Sequence, residues 1–277
     1  ALDWVSDHRR HHKHTDEDED PYDISKGFFW AHVGWLLFKL RPKPPMDNVA
    51  DLRRDKLVMW QHRWDKVIAF TVGFVVPAIL GWFWNGWVGA LGGFLLAGVL
   101  RVVVVQQSTF FINSLCHTIG RRPYSSRISA RDSTLMAFLT FGEGYHNYHH
   151  EFQHDYRNGV KAWNFDPTKW AIWTLDKLGL VHDRRKVSAN RILLAEIAEA
   201  RRCADERLAK INASGESVCE KALSAVHDLQ ERLAAAYEEL EVAIAQKMEM
   251  SRIVVNRWRS EARELVARLS HLSAQPA

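Results

Sequence analysis

The chain is 277 residues long, 47% hydrophobic and 25% charged, so size does not limit a core and the average composition singles out no special class. Its formal net charge of +4 is mild; anionic lipid headgroups or a phosphorylated ligand suit it, and no nucleic-acid partner is predicted. Cys116, Cys203 and Cys219 are scattered without a CxxC pair, which excludes a disulfide scaffold and a thiolate cluster and suits a reducing compartment.

The opening, ALDWVSDHRRHH, has neither an initiator Met nor a basic-then-apolar leader, so no targeting peptide is predicted and a longer parent chain is expected. His8, His11 and His12 fall at i, i+3 and i+4, which a helix places on one face. Neutral imidazole is the commonest protein metal ligand. The acids from Asp16 to Asp20 that follow, with Asp7 and Glu143, are candidates to orient ligand rings. Next comes FFWAHVGWLLFK, in which Phe28, Phe29, Trp30, Trp35 and Leu36 supply an apolar wall and Lys39 and Arg41 follow for phosphate contacts.

From Val67 to Trp84 no residue carries a formal charge, a length that just crosses a hydrocarbon core of roughly 30 Å. After Asn85-Gly86-Trp87 an apolar run resumes at Val88 and extends, interrupted by Arg101, to Asn113. The pattern predicts a membrane hairpin over about 67–113, with Trp82, Trp84 and Trp87 at the outer interface and both basic flanks on the cytoplasmic side. Arg101 requires a partner or a protein-facing position.

Such a hairpin returns the chain to the side where it started. There GEGYHNYHHEFQHDYRNG repeats the i, i+3, i+4 spacing with His146, His149 and His150. Six imidazoles exceed what one tetrahedral zinc needs and exclude an ordinary iron–sulfur cluster. Two neighbouring first-row ions are indicated, iron if the reaction involves oxygen.

From Ser188 to Leu272 there is no proline, and Val226, Leu229, Leu233, Ala236, Leu240, Ala243, Lys247, Met250 and Val254 form a heptad-like seam. Gly215 is predicted to separate this long helix from the helix before it. Packing of the helices on each other, dimerisation, and a membrane-lying face containing Trp258 all satisfy the pattern; packing on each other is favoured.

Taken together, the segments DHRRHHKHTDEDEDPY, GFFWAHVGWLLFK, FFINSLCHTIGRRPY, GEGYHNYHHEFQHDYRNG, WNFDPTKW and LGLVHD resemble membrane fatty acyl-CoA desaturases of the stearoyl-CoA, delta-9 type. The resemblance covers residues 3–186 in family order. It implies an all-α fold: a multi-pass integral membrane hairpin, a cytoplasmic histidine-rich helical cap, and a C-terminal coiled-coil-like tail outside the family pattern. The corresponding domains are 1–187 and 188–277. It further implies a diiron, O2-dependent enzyme that inserts a cis double bond into a long-chain acyl-CoA, with two Fe ions in the complete protein. The ligands carried over are His8, His11, His12, His117, His146, His149 and His150, with Asn113 acting through water. Trp30, Trp35, Lys39 and Thr109 become substrate contacts. Electrons are expected from a separate ferredoxin or cytochrome b5-like donor, with membrane lipid and tail self-association as further partners. The family's earlier H-x-x-x-x-H box has no counterpart before His8, which leaves two ligands unsupplied. A related fatty acyl hydroxylase and a truncated, inactive membrane scaffold are the competing expectations.

Overall fold

The computed structural model describes residues 2–38, 46–214 and 220–272, residue 271 by its backbone only. The predicted contacts of Lys39 and Arg41 and the predicted break at Gly215 lie outside the described residues. Among the described residues regular structure is helical, and extended pairing is limited to isolated bridges of Asp132 with Arg121 and Tyr145. The chain divides into two compact units, one of residues 1–119 and 133–144, the other of residues 120–132 and 145–277.

In the first unit, helix α1 (Leu2–Lys13) carries the first histidine cluster. A wide turn (Trp30–Gly34) continues into the short helix α2 (Trp35–Phe38). Helix α3 (Lys56–Phe70) starts at an Asp55 cap whose carboxylate accepts from Leu57 N and Val58 N, and α4 (Val76–Gly92) and α5 (Arg101–Asn113) complete a long apolar path. By length and composition, residues Lys56–His117 contain one helical stretch able to cross a membrane, with mean hydropathy 2.3 and only 6% of that window buried. Phe83, Trp84, Trp87 and Val88 are all strongly exposed, an amount of apolar surface that water does not favour.

This stretch is not straight. Asn85 and Gly86 leave helical geometry, Gly86 at φ 51°, a conformation glycine adopts without a Cβ clash. The chain then runs back on itself so closely that a Cβ at Gly81 would meet Gly89 O at 2.0 Å, and one at Gly93 would meet Pro77 O at 2.1 Å. Small residues therefore set the approach of the two legs. Arg101 donates from Nε to Ala97 O at 2.8 Å and from Nη2 to Gly73 O at 3.3 Å. Its charge is thus directed at backbone carbonyls on both legs. Helix α6 (Thr134–Leu139), capped by Ser133, completes the unit.

The second unit holds helix α7 (His146–Glu151), helix α8 (Pro167–Lys177) and a bundle of α9 (Ala189–Ser214), α10 (Glu220–Ala245) and α11 (Arg252–Leu272). Bundle residues spaced three and four apart are buried together, Leu193 and Ile197 from α9, Leu229, Leu233 and Leu240 from α10, and Trp258 and Leu265 from α11. Trp258 therefore belongs to a protein core. The tail helices pack on one another, as favoured from the sequence.

One expectation is corrected. The seam from Val226 to Val254 is not one helix, because α10 ends at Ala245 and Lys247 turns left-handed at φ 55°. Met248 N bonds Ala243 O at 2.8 Å and Lys247 N bonds Ile244 O at 3.1 Å, which is a Schellman stop. Asn190 Nδ2 then donates to Met248 O at 2.8 Å, so α9 holds the turn.

Candidate metal centre

Helix α1 is fixed from its far side. Ser6 Oγ donates to Asn48 Oδ1 at 2.7 Å, Asn48 Nδ2 donates back to Ser6 O at 2.9 Å, and Arg9 donates to Asn48 O at 2.6 Å. The same guanidinium grips both oxygens of Asp51 at 2.7 and 2.8 Å, and its hydrogen bonds hold that carboxyl at about 2. The opposite face presents the histidines. His8 and His12 bring their Nε2 atoms within 3.1 Å of each other, and His11 lies 5.3 Å from His117, centroid to centroid.

His11 Nδ1 meets Asp20 Oδ1 at 2.8 Å, both residues being buried. Asp20 also accepts from Asp16 N at 3.1 Å and Tyr22 N at 2.8 Å. A carboxylate on one ring nitrogen fixes the tautomer and directs the other nitrogen outward. One member of the acidic run thus does what was expected of it. Tyr22, which sequence reasoning passed over, packs between His11, tilted at 5.3 Å, and Trp35, edge-on at 4.7 Å. Burial, then the charges of Asp7 and Asp20, push its phenol far up.

The second cluster is built on α7, where two residues between the histidines do the anchoring. Asn147 Oδ1 accepts from Tyr124 N at 2.9 Å and Ser125 N at 3.3 Å, while Nδ2 donates to Ser125 O at 2.7 Å and Ala130 O at 3.0 Å. Its amide is fully satisfied and wholly buried. Tyr148 OH donates to Asp155 Oδ2 at 2.8 Å, and its N–H donates to Asp132 Oδ1 at 3.0 Å. Burial pushes Asp132 up to about 7, against the backbone N–H groups of Tyr148 and Asn147. Asp155 in turn accepts from Arg157 Nη2 at 2.6 Å and Val187 N at 2.8 Å. On the other face, His146 and His150 Nε2 approach to 3.1 Å.

Of the remaining predicted site residues, Trp30 and Trp35 are partly buried. Among the described residues neither indole N–H has a hydrogen-bond partner. His32, not assigned a role from the sequence, meets Ser114 Oγ and Gln107 Oε1, both at 3.0 Å, and so ties the Trp30–Gly34 turn to α5. Thr109 bonds back to Val105 O at 3.0 Å. Asn113 and His117 stand four residues apart, a spacing that one continuous helix would place on a shared face, but the helix does not continue. Helix α5 ends at Asn113, and Leu115–His117 is a tighter turn in which His117 N bonds Ser114 O at 3.2 Å. Both the hydroxyl and the N–H of Ser114 bond Phe110 O, and such local bonding competes with helix continuation. An open apolar groove of about 350 Å³, lined among others by Phe70, Phe74, Trp82 and Phe94, uses none of the predicted substrate residues.

Imidazoles gather within each unit: His8, His11, His12 and His117 in the first, with His8 and His12 Nε2 within 3.1 Å of each other, and His146, His149 and His150 on α7 in the second. All-imidazole donors with no thiolate suit a first-row transition metal, and the carboxylate on His11 is the support such a ligand needs.

A family profile described as fatty acid desaturase matches residues 1–184. The chain is similar to acyl-CoA desaturase 1 of Saccharomyces cerevisiae, 42% identical over 211 residues, covering 76% of this chain and 41% of that protein. It is also similar to a probable acyl-CoA desaturase of Schizosaccharomyces pombe, 40% identical over 76% of this chain and 43% of the other. Stearoyl-CoA desaturase of Sus scrofa is 39% identical over 74% of this chain and 57% of its own length. The chain spans about half the length of these relatives. With the histidine clusters and a family match over most of its length, this chain belongs to the fatty acid desaturase family.

Proposed function

We propose that this chain supplies most of the metal centre of an O2-dependent acyl-CoA desaturase that inserts a cis double bond, at delta-9, into a long saturated acyl chain. The observation that carries this reading is a histidine cluster on α1, one of whose rings is held by a buried carboxylate, and a second on α7, in a chain that belongs to the desaturase family. His8, His11, His12, His117, His146, His149 and His150 hold two iron ions, and Asn113 contributes through water. Bound iron supplies the oxidising chemistry that an unactivated methylene demands and that no side-chain acid or base provides.

The protein's own residues place the substrate and exclude water. Asp20 keeps His11 in one tautomer. Trp30, Trp35 and Thr109 line the acyl path, and Lys39 binds phosphate of the CoA moiety. Residues 67–113 span the membrane twice with the active-site side cytoplasmic, a reading supported by the reversal at Asn85–Gly86 and by the exposed apolar legs. The family match ending at residue 184 supports a desaturase domain of 1–187 and a separate helical tail from 188 to 277. Electrons come from a separate donor protein. In the family the full reaction also draws on a first H-x-x-x-x-H box.

The test joins metal and product. The chain, expressed alone and together with a segment carrying that first box, is reconstituted anaerobically with Fe(II), its iron is measured by plasma mass spectrometry, and cellular acyl chains are profiled. Bound iron and new cis-unsaturated product in the complemented assembly are expected. Absence of bound metal overturns the reading, and a hydroxyacyl product without alkene reassigns the chain to a hydroxylase.

A further inference from the structure

Helix α8 and its flanks show an arrangement that neither the metal centre nor the membrane hairpin uses. The helix opens with Asp166, whose carboxylate accepts from Lys169 N at 2.9 Å, and has Pro167 at its first position. It closes with Gly179 at φ 72°, where Leu180 N bonds Leu175 O at 2.9 Å. Among the described residues, the side-chain hydrogen bonds and the ion pair that tie α8 to the rest of the protein come from one edge. Lys169 Nζ donates to the carbonyls of Gly159, Lys161 and Asn164 at 2.8, 2.9 and 3.3 Å, and Asp176 pairs with Arg184 at 2.7 Å. At about 100° per residue these two side chains lie together. Trp173, Trp170, Leu178 and Leu175 are spread over the remaining circumference, with Lys177 and Thr174 among them.

These apolar side chains face outward. Trp170 and Trp173 are 43% and 50% exposed, and Leu178 and Leu180 reach 66% and 69%. Trp163, from the loop before the helix, is 78% exposed. Ammonium groups accompany the indoles: Lys161 Nζ lies 5.6 Å from the Trp163 ring, and Lys177 Nζ lies 5.9 Å from the Trp173 ring. Between residues 161 and 186 six Lys or Arg face three Asp.

We propose that α8, with Trp163 and the Leu178–Leu180 turn, lies in the surface of an anionic lipid bilayer. Indoles favour the headgroup level, where an apolar ring and a polar N–H are both accommodated. Lysines beside them keep their stems in the apolar layer and their ammonium groups in water. An amphipathic helix with basic flanks is bound by apolar burial and by attraction to anionic headgroups together. The carboxylates of Asp166 and Asp176 both sit on the engaged edge, so no acidic side chain of α8 faces the lipid. This goes beyond the two-span reading, which concerns residues 67–113 alone.

The whole chain, with Cys203→Ser and Cys219→Ser, is labelled with an environment-sensitive dye at Leu178→Cys or, outside the helix, Trp163→Cys. Matched controls carry the dye at Phe83→Cys in the apolar stretch and at Glu241→Cys in the bundle. Each protein is reconstituted into vesicles of phosphatidylcholine alone or of equal parts phosphatidylcholine and phosphatidylserine, with nitroxide-bearing lipids as quenchers. At both α8 positions the expected result is a blue-shifted emission and quenching by nitroxides near the headgroups, larger with phosphatidylserine and reduced by salt, with no quenching at Glu241. Emission at Leu178 and Trp163 as water-like as at Glu241 overturns the proposal whatever Phe83 reports. Equal quenching in both vesicle types overturns its anionic part. A blue shift that is not quenched and that grows with protein-to-lipid ratio assigns the face to a second copy of the chain and overturns the lipid assignment. Loss of quenching at Phe83 alone counts against the two-span reading only.

Discussion

Helices α7 and α10 both keep side chains away from water, α7 on both its faces and α10 on one, but the surroundings of those side chains differ. Around α7 the buried side chains are His146, Asn147, Tyr148 and His150, and their neighbours include Asp132, Asp155 and Arg157. Around α10 they are Val226, Leu229, Leu233, Ala236 and Leu240, against Ile197, Trp258 and Leu265. The first interior depends on directed bonds, each of which leaves a desolvated partner when removed. The second depends on volume and area, which tolerate changes of detail. The histidines of α7 are held in place by the first kind of interior, and a tail needs only the second.

The largest expected effect falls on the polar side of this contrast. His149→Ala removes one of the three imidazoles of the second H-x-x-H-H motif while deleting little buried surface, since His149 is only partly buried. In the complemented assembly, iron content should fall and desaturated product should disappear, while membrane insertion and thermal unfolding change little. His182→Ala, at an exposed histidine outside the proposed ligand set, is the control and should leave all four readouts unchanged. Retained iron and turnover in His149→Ala would separate the two motifs chemically and remove the main support for a shared centre.

Leu233→Ala is the counterpart in the apolar interior. Leu233 is wholly buried in the bundle, and truncating such a leucine destabilises by about 2–5 kcal/mol. Chemical unfolding of the full chain in detergent should register that loss with metal content unchanged. A variant that lost iron in proportion to stability would show that the bundle and the metal centre unfold as one cooperative unit.

These two experiments also mark what could be read from the sequence. Both H-x-x-H-H clusters were legible because helical spacing alone puts i, i+3 and i+4 together, and the chain reversal at Asn85–Gly86 was legible because a Gly interrupts a long apolar run. The supports of the centre were not. Asp132 reaches Tyr148 from 16 residues away, and Asp155 reaches Val187 across 32, distances at which no local pattern operates. Asn147 and Tyr148 were in plain view between the histidines, but only the packing of residues 124–130 shows that they anchor the helix. The tight turn after Asn113 was hidden because Ser114 is an ordinary helix residue until its hydroxyl bonds Phe110 O.

A smaller effect should separate charge from packing within the polar interior. Burial alone would raise the Asp155 carboxyl, but the Arg157 guanidinium, the N–H groups of Val187 and Arg157 and the Tyr148 hydroxyl lower it below its ordinary value. A carboxyl lowered in the folded state stabilises above its unfolded pKa, and that contribution is lost as pH falls through the folded one. Asp155→Asn should therefore destabilise by about 2 kcal/mol near neutrality, and the gap to the parent chain should close as the solution is made acidic. A gap that persists unchanged at low pH would mean that the carboxylate charge is not what holds Tyr148 and Arg157 in place.

The smallest expected effect has a sign opposite to the others and tests the break between α10 and α11. Lys247 sits at φ 55°, where a Cβ is crowded and glycine is not. Its N–H and that of Met248 satisfy the last carbonyls of α10, so the stop is made by backbone bonds that glycine preserves. Lys247→Gly should stabilise the full chain by about 0.5–1 kcal/mol, the relief at a left-handed C-cap outweighing glycine's greater freedom when unfolded. The heptad-like seam running through Lys247 predicts the reverse. In one continuous helix the same substitution would destabilise by about 1 kcal/mol, because a glycine would then sit mid-helix. The two readings differ in direction as well as size, so a denaturation midpoint that rises or falls at unchanged slope decides between them. A rise establishes α10 and α11 as separate helices joined at a fixed turn, with the bundle core distributed over three helices.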